Sequence, residues 1–214
     1  MHHDKRFQHH CNFDVQNVLS VLQQESDWFK DTHRQDTFMC FKETQSIHLI
    51  DAPEDCVFRS PTEVWNGQDL YWWRLRGKYY DACEPIIKSL EEKYQGTATK
   101  TVLTRMSPGS RITRHVDGRP LHHLGRRHHI PITTNENVKF IIEDETINMK
   151  VGECWEIDNT RFHEVRNDGD TDRIHLMVDI VTGDRKDNCP PDCEICNRVR
   201  NKSYNIFYED IYEH

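Results

Sequence analysis

The second half of the chain consists of short apolar runs separated by turn-forming residues. Apolar residues stand at alternate or consecutive positions within each run, a pattern typical of half-buried or fully buried strands. Clusters of Gly, Pro, Asn and Asp lie between the runs, where turns are expected. The predicted strands are 101–106, 111–116, 128–133, 138–142, 146–150, 154–157, 164–166 and 173–181. Eight closely spaced strands favour a double-stranded β-helix, or jelly roll.

The first half of the chain predicts helices and loops instead. Apolar residues follow helical spacing after Asp14, which can act as an N-cap; they are Val15, Val18, Leu19 and Leu22. A second helix is predicted to begin at Asp81, with Glu84 at capping-box spacing and Pro85 in the first turn. Gly96 is expected to end that helix.

These patterns together predict a mainly β protein with flanking helices. We expect a helical and loop region over 1–96 that braces a jelly-roll core over 97–182. A cysteine-containing tail follows over 183–214. At 214 residues the three parts are expected to form one structural domain.

The charge and composition exclude some classes of partner. A formal net charge of −8 disfavours general binding to nucleic acid or to anionic membranes. No segment reaches the roughly 18 apolar residues of a membrane span, and the first residues lack the apolar segment of a signal peptide. We therefore expect a cytoplasmic protein with mostly free thiols, no nucleic-acid partner and no membrane association.

Three residues predict a metal site. His115 and Asp117 lie two positions apart at the end of a predicted strand, so both side chains point to one face. His163 begins a later strand that a jelly roll can bring opposite the pair. Two histidines and one carboxylate leave positions open on an octahedral iron for O₂ and a co-substrate. The His-X-Asp pattern alone is weak evidence, because it also occurs at His2.

Arg173 supplies the context that the metal pattern lacks. It begins the apolar run 173–181, where a buried cation requires a partner. A carboxylate matches the planar guanidinium with two parallel hydrogen bonds. The order His-X-Asp, distal His and then Arg resembles the layout of the 2-oxoglutarate-dependent oxygenases.

Four motifs narrow this resemblance to the aspartyl/asparaginyl β-hydroxylase family of iron(II)- and 2-oxoglutarate-dependent oxygenases. The segments that resemble the family, in the order in which the family has them, are Met-Ser-Pro-Gly-Ser from Met106, Arg-His-His-Ile-Pro-Ile from Arg127, Phe-His-Glu-Val from Phe162, and Arg-Ile-His-Leu-Met-Val-Asp from Arg173. The resemblance covers about 101–181, the whole predicted core. It implies the jelly-roll fold, iron(II), 2-oxoglutarate and hydroxylase activity.

The resemblance also implies roles for individual residues. His115 and His163 would ligate iron, while Arg173 and Thr104 would bind the distal carboxylate of 2-oxoglutarate. Two further residues, Arg127 and His129, would approach the other end of 2-oxoglutarate or the substrate. The animal enzymes of the family lack a carboxylate two residues after the first His. Asp117 occupies that position here, so we expect a complete triad.

Two further groups of residues predict binding sites outside the triad. Arginines cluster just before and after the first His, where they could receive a carboxylate-bearing substrate or simply form a solvated face; they are Arg111, Arg114, Arg119, Arg126 and Arg127. The tail cysteines have a spacing that could bind zinc with a fourth ligand from elsewhere; they are Cys189, Cys193 and Cys196.

The sequence therefore predicts a dioxygenase that hydroxylates an aspartyl or asparaginyl side chain of a peptide or protein. A hydroxylase of a free amino acid such as proline is the closest alternative, because no peptide-binding repeat array precedes the core. A non-catalytic jelly roll that only holds metal is the alternative from another class. A nucleic-acid demethylase is disfavoured by the acidic balance of the chain.

Overall fold

Two antiparallel sheets and the helices that cover one of them make up the fold. The computed structural model describes residues 5–24, 28, 33–51, 73–74, 77–117 and 125–182. Its strands are β1 (Phe7–Asn12), β2 (Thr44–Asp51), β3 (Trp73–Arg74), β4 (Gly96–Met106), β5 (Arg111–His115), β6 (Gly125–Thr133), β7 (Val138–Ile142), β8 (Glu145–Ile147), β9 (Glu153–Ile157), β10 (His163–Asn167) and β11 (Arg173–Thr182). Its helices are α1 (Gln16–Gln24), α2 (His33–Thr37), a 3₁₀ turn (Met39–Phe41) and α3 (Lys78–Tyr94).

The larger sheet forms one of the two layers between which the candidate site residues lie. Over the described part of the chain it has seven strands in the order β1-β9-β6-β11-β4-β2-β3, and the smaller sheet has four in the order β5-β10-β7-β8. β11 lies in the middle of the larger sheet and pairs with β4 on one side and β6 on the other. Side chains therefore alternate along β11 between two different environments.

One face of the larger sheet packs against helices. Ile174, Leu176 and Val178 of β11 belong to an apolar cluster with residues of α1 and α3, such as Val18 and Ile87. The other face looks toward the smaller sheet, and a second apolar cluster joins Phe7 and Met106 to Val138, Phe140 and Val165 across the gap. This arrangement confirms the predicted jelly roll braced by N-terminal helices. Within the described residues, no helix is long and apolar enough to cross a membrane.

Each of the eight predicted strands has a counterpart, although β8 (Glu145–Ile147) covers only the start of the predicted strand 146–150. Within the described residues, three strands of the N-terminal part were not predicted from the sequence. β1, β2 and β3 lie within the region that the sequence predicted as helices and loops. β2 lacks the usual apolar alternation because Thr44 and Ser46 are buried although they are polar. A strand with polar side chains on its buried face does not resemble a strand in the hydropathy pattern.

The longest helix starts earlier than predicted. α3 begins at Lys78, and the amide of Asp81 already donates to the Gly77 carbonyl at 2.9 Å. The capping-box prediction at Asp81 is therefore wrong, and Pro85 lies inside the helix rather than in its first turn. At the other end Gln95 adopts the left-handed conformation (φ 47°) after the last helical residue, while Gly96 is already the first residue of β4.

Gly152 holds the N-terminal segment against the turn before β9. Its amide donates to the Pro131 carbonyl at 2.9 Å, and its carbonyl accepts from the Phe13 amide at 2.8 Å. Its φ of +79° favours glycine, and a Cβ would lie 2.5 Å from the Phe13 carbonyl oxygen. Gly109 has a similar φ of +77°, but a Cβ there would meet nothing within 4 Å.

These two glycines give a matched test of the close contact between Gly152 and the Phe13 backbone. We expect Gly109→Ala to lower the free energy of unfolding by about 1 kcal/mol, the cost of a left-handed alanine. Gly152→Ala adds a backbone clash and should cost about 2–4 kcal/mol. Urea unfolding of both variants measures the difference, and equal losses would contradict the clash.

Candidate metal centre

The three predicted metal ligands meet at the edge of the smaller sheet. His115 ends β5, and His163 begins β10 directly opposite it in the strand register. Asp117 follows two residues after β5. The ligand atoms of the three residues all lie within 4.8 Å of one another, and His115 Nε2 is 3.6 Å from Asp117 Oδ1. The chain thus brings two imidazoles and one carboxylate to a single point.

Both imidazoles are oriented by the backbone in the same way. His115 Nδ1 lies 2.7 Å from the Thr113 carbonyl oxygen, and His163 Nδ1 lies 2.9 Å from that of Arg161. A carbonyl can only accept, so Nδ1 of each ring bears the proton and Nε2 keeps its lone pair. Among the described residues, His115 Nε2 is buried and has no hydrogen-bond partner. Such an orphaned nitrogen beside a carboxylate fits a metal ligand.

Burial keeps both rings in the form that binds metal. It lowers the pKa of His115 to about 4 and, together with the neighbouring His115, lowers that of His163 to about 3. Neutral imidazole is the ligand form, so neither ring has to lose a proton at neutral pH.

Asp117 is held by two donors on one of its oxygens. Asp117 Oδ2 accepts hydrogen bonds from Arg127 Nη1 and from Asn159 Nδ2, the latter at 3.2 Å. The other oxygen, Oδ1, faces His115 Nε2. Arg127 is fixed in turn by Asp179, whose two oxygens accept from Nε and Nη2 at 2.7 and 2.6 Å. This network orients Asp117 with one oxygen toward the histidines.

Arg173 lies buried on the inner face of β11, the face that looks toward the smaller sheet. Its side chain is 1% exposed, and Nη1 makes only a long contact of 3.7 Å to Met106 Sδ. Within the described part of the chain, Nε and Nη2 have no hydrogen-bond partner. Burial, and then the nearby Arg34, lowers the pKa of Arg173 to about 9, so it remains charged at neutral pH. A buried cation with two unused donors is suited to an anionic ligand.

Arg34 is a second arginine at this pocket that sequence analysis did not find. Its Nη1 donates to Thr104 Oγ1 at 3.2 Å and to Ser46 Oγ at 3.3 Å. Its guanidinium stacks 3.7 Å from the centre of the Phe41 ring, which lies 5.0 Å from the ring of His115. α2 belongs to none of the four motifs, so only the folded chain reveals that Arg34 approaches the site.

The remaining predicted residues line the same inner face. Thr104 pairs with His175 of the neighbouring strand, and His175 lies two residues after Arg173 on the same face of β11. Thr104 is 4% exposed. His129 is 8% exposed, packs against Phe140 at 5.1 Å, and has no partner for Nδ1 among the residues described. Burial, with Arg173 and Arg127 next in importance, holds the pKa of His129 well below its usual range. The structure thus brings all seven predicted site residues close together between the two sheets, in what we call the pocket.

Comparison with known proteins places this arrangement in a family. A family model described as aspartyl/asparaginyl β-hydroxylase matches residues 14–182. The chain belongs to the aspartyl/asparaginyl β-hydroxylase family. The resemblance inferred from the four motifs is confirmed, and the match extends well before the first of them. As a member of this family, the protein is an oxygenase enzyme.

This hydroxylase-family chain is similar to solved oxygenase structures, one of which supports its fold with a TM-score above 0.5. The viral collagen prolyl hydroxylase of Paramecium bursaria Chlorella virus-1, solved with 2-oxoglutarate, is 8% identical with a TM-score of 0.51 over 83% of this chain and 96% of that one. A 2-oxoglutarate-Fe(II) oxygenase-family oxidoreductase from Burkholderia pseudomallei is 11% identical with a TM-score of 0.49 over 80% and 92%. A search of curated proteins gave no match.

The basic cluster of this hydroxylase-family protein does not act as one surface. Arg126 and Arg127 are neighbours on β6 and therefore point to opposite faces of the larger sheet. Arg126 donates to Glu156 on the helix-covered face, so it does not belong to a surface that could receive a substrate at the metal centre. Arg111 pairs with Asp168 at 3.5 Å on the surface. Arg119 lies outside the described residues, as do the tail cysteines of the zinc prediction.

The Arg127 network gives a prediction about stability. We expect Asp179→Asn to lower the free energy of unfolding by about 3 kcal/mol, because it leaves a buried guanidinium undercompensated. Asp172→Asn is the matched control: its Arg105 pair has a similar separation, 2.7 Å against 2.6 Å, but is 24% and 31% exposed, so about 0–1 kcal/mol is expected. Chemical denaturation compares them, and equal losses would contradict a special role for the buried pair.

Proposed function

We propose that this protein is an iron(II)- and 2-oxoglutarate-dependent dioxygenase that hydroxylates an aspartyl or asparaginyl side chain of a peptide or protein. The observation that supports this best is the shared pocket of a His-Asp-His cluster and the buried, underused guanidinium of Arg173. Family membership supplies the class of reaction. The substrate class is the further step.

The donor set suits a redox metal with open positions. His115 Nε2, His163 Nε2 and Asp117 Oδ1 would hold iron(II), and two imidazoles with one carboxylate leave room for further ligands. When bound, iron(II) and 2-oxoglutarate would supply the activation of O₂ and the oxidation of a substrate C–H bond. The protein itself contributes neutral rings, a fixed carboxylate and a buried pocket.

The arginines of the pocket favour a dicarboxylate as the co-substrate. Arg173 would bind the distal carboxylate of 2-oxoglutarate with its unused Nε and Nη2, helped by the hydroxyl of Thr104. Arg34, which already donates to Thr104, would bring a second positive charge to the same end. A protein that only stores metal has no use for these cations, so the pocket favours the enzyme over the non-catalytic alternative.

The roles proposed for Arg127 and His129 now differ from each other. The donor nitrogens of Arg127 are occupied by Asp179 and Asp117, so we assign it to positioning the carboxylate ligand. His129 keeps an unpaired Nδ1 on the pocket side of β6 and remains available to 2-oxoglutarate or to the substrate.

The entrance to the pocket favours a large substrate. Phe162, next to His163, is 53% exposed, although large aromatic side chains are usually buried. The Arg114 guanidinium lies 5.1 Å from its ring, adjacent to His115. An exposed aromatic and a cation beside the metal ligands could contact an acidic peptide on both sides of its target residue. A free amino acid such as proline, the alternative substrate, would not reach beyond the pocket.

Succinate release tests the proposed reaction. We expect the protein with iron(II), 2-oxoglutarate and O₂ to release succinate, and aspartyl or asparaginyl peptides to increase the rate more than free proline or aspartate. His115→Ala and His163→Ala should abolish release while keeping the native circular-dichroism spectrum, because each removes a metal ligand. His9→Ala, an exposed histidine outside the pocket, is the control. No release from folded, iron-loaded protein would overturn the proposal, and stimulation by free proline alone would select the alternative.

The two arginines should affect binding of 2-oxoglutarate rather than the chemical step. We expect Arg173→Gln to raise its KM roughly 10- to 100-fold, because hydrogen bonds to charged groups contribute about 1.5–3 kcal/mol. Arg34→Gln should raise KM roughly 3- to 10-fold, since Arg34 already donates to hydroxyls. Arg105→Gln, next to Thr104 but on the opposite face of β4, is the control. Unchanged KM in Arg173→Gln would contradict the assigned role.

A further inference from the structure

A second cluster of metal-binding side chains lies on the helix-covered face of the larger sheet. His10, His128 and Glu156 come from β1, β6 and β9, which are adjacent in the sheet order β1-β9-β6. Their ligand atoms all lie within 4.8 Å of one another. His10 Nε2 is 2.9 Å from Glu156 Oε2, and His128 Nε2 is 3.9 Å from the same oxygen.

This cluster is separate from the proposed iron site. His128 and His129 are consecutive on β6, so their side chains leave the sheet on opposite faces. His129 packs against Phe140 of the smaller sheet. The ring of His128 instead lies 5.0 Å from that of Tyr94, the last residue of α3. The sheet therefore stands between the two sites.

Salt bridges explain why Glu156 of this cluster can be buried, but they do not explain the burial of His128. Arg126 Nη1 lies 3.3 and 3.0 Å from the two oxygens of Glu156, and His10 contacts one of them. This accounts for a carboxylate with an exposed fraction of only 2%. It does not account for His128, because the 3.9 Å separation from Glu156 is too long for a hydrogen bond.

His128 is the residue that points to a ligand. Its side chain is 0% exposed, and neither ring nitrogen makes a hydrogen bond of acceptable geometry to the described residues, although the Val178 backbone lies close enough to oppose the fall in its pKa. An unpaired buried polar group costs about 1–3 kcal/mol. Burial also lowers the pKa of His128 to about 4, so the ring is neutral and retains a lone pair at neutral pH. A cation bound between His128 and Glu156 would use that lone pair.

We propose that His10, His128 and Glu156 bind a zinc ion that ties the edge strand β1 to β9 and β6. Two imidazoles and a carboxylate form a donor set that zinc accepts, with a fourth position left for water. Arg126 is 26% exposed and can turn outward, keeping Glu156 Oε1 while Oε2 binds the ion. Cys154 lies near Glu156 but does not belong to the group whose ligand atoms converge, so we do not include it among the ligands.

Zinc binding in a protein without the proposed iron site tests this inference. The starting protein contains His115→Ala and His163→Ala, so its result does not depend on the proposed hydroxylase function. We expect it to bind one more equivalent of zinc than the same protein with His128→Phe, measured by equilibrium dialysis and elemental analysis. Zinc at about 100 times its dissociation constant should raise the thermal midpoint by about 5 °C or more, and His128→Phe should remove that rise.

The variants distinguish a role of His128 as a zinc ligand from a role in which its ring only packs against Tyr94. Phe keeps the ring against Tyr94 and removes the unpaired nitrogens, so His128→Phe should fold at least as well without zinc. His10→Gln, at a 10% exposed side chain, is a second variant that should lose the same equivalent. His9→Gln, the neighbour on β1, should retain it. Equal zinc content and equal midpoint rise with and without His128 would overturn the proposal; that zinc would belong to other ligands, such as the tail cysteines.

Discussion

The buried ion network of Arg127, Asp117 and Asp179 joins the two sheets at the candidate metal centre. Arg127 lies on β6 and Asp179 on β11 of the larger sheet, while Asp117 follows β5 of the smaller one. All three side chains are at most 6% exposed, so the charges lose their hydration on folding. Such a network contributes little more to the free energy of unfolding than well-packed apolar residues of similar volume would. Its contribution is geometric, since it directs one oxygen of Asp117 at the two histidines.

Strand alternation places consecutive residues of one short segment on opposite faces of the larger sheet. Arg127 and His129 face the pocket, whereas Arg126 and His128 face α3. On β11 the same rule sends Arg173 inward and Ile174 into the helix-packed core. A basic cluster in the sequence is therefore not a basic surface in the fold. The charges of neighbouring arginines in a strand act together only where their side chains point to the same face of the sheet.

Local rules predicted most of the β core, and together with the family resemblance they predicted three residues that the fold brings together as a candidate metal centre. Apolar runs with turn residues between them predicted eight strands, and His115 and Asp117 needed only strand alternation to share a face. Other features were not predicted, and two of them depend on contacts between residues far apart in the sequence. β2 is polar where it borders the pocket, and Arg34 reaches Thr104 from a helix 70 residues away in sequence. The start of α3 depends on Gly77, which has no side chain with which to form a cap.

Several residues to which we assign a binding role bury polar atoms that have no hydrogen-bond partner within the described part of the chain. Arg127, Asp179 and Asn167, to which we assign no ligand, use their buried polar atoms in several hydrogen bonds each. Among the described residues, Arg173, His115 and His128 bury nitrogens that bond to nothing. A folded chain tolerates such losses where a ligand recovers them, since each costs about 1–3 kcal/mol when left unpaired. The protein is therefore less stable alone than its packing would allow, and binding at these nitrogens is coupled to its folding.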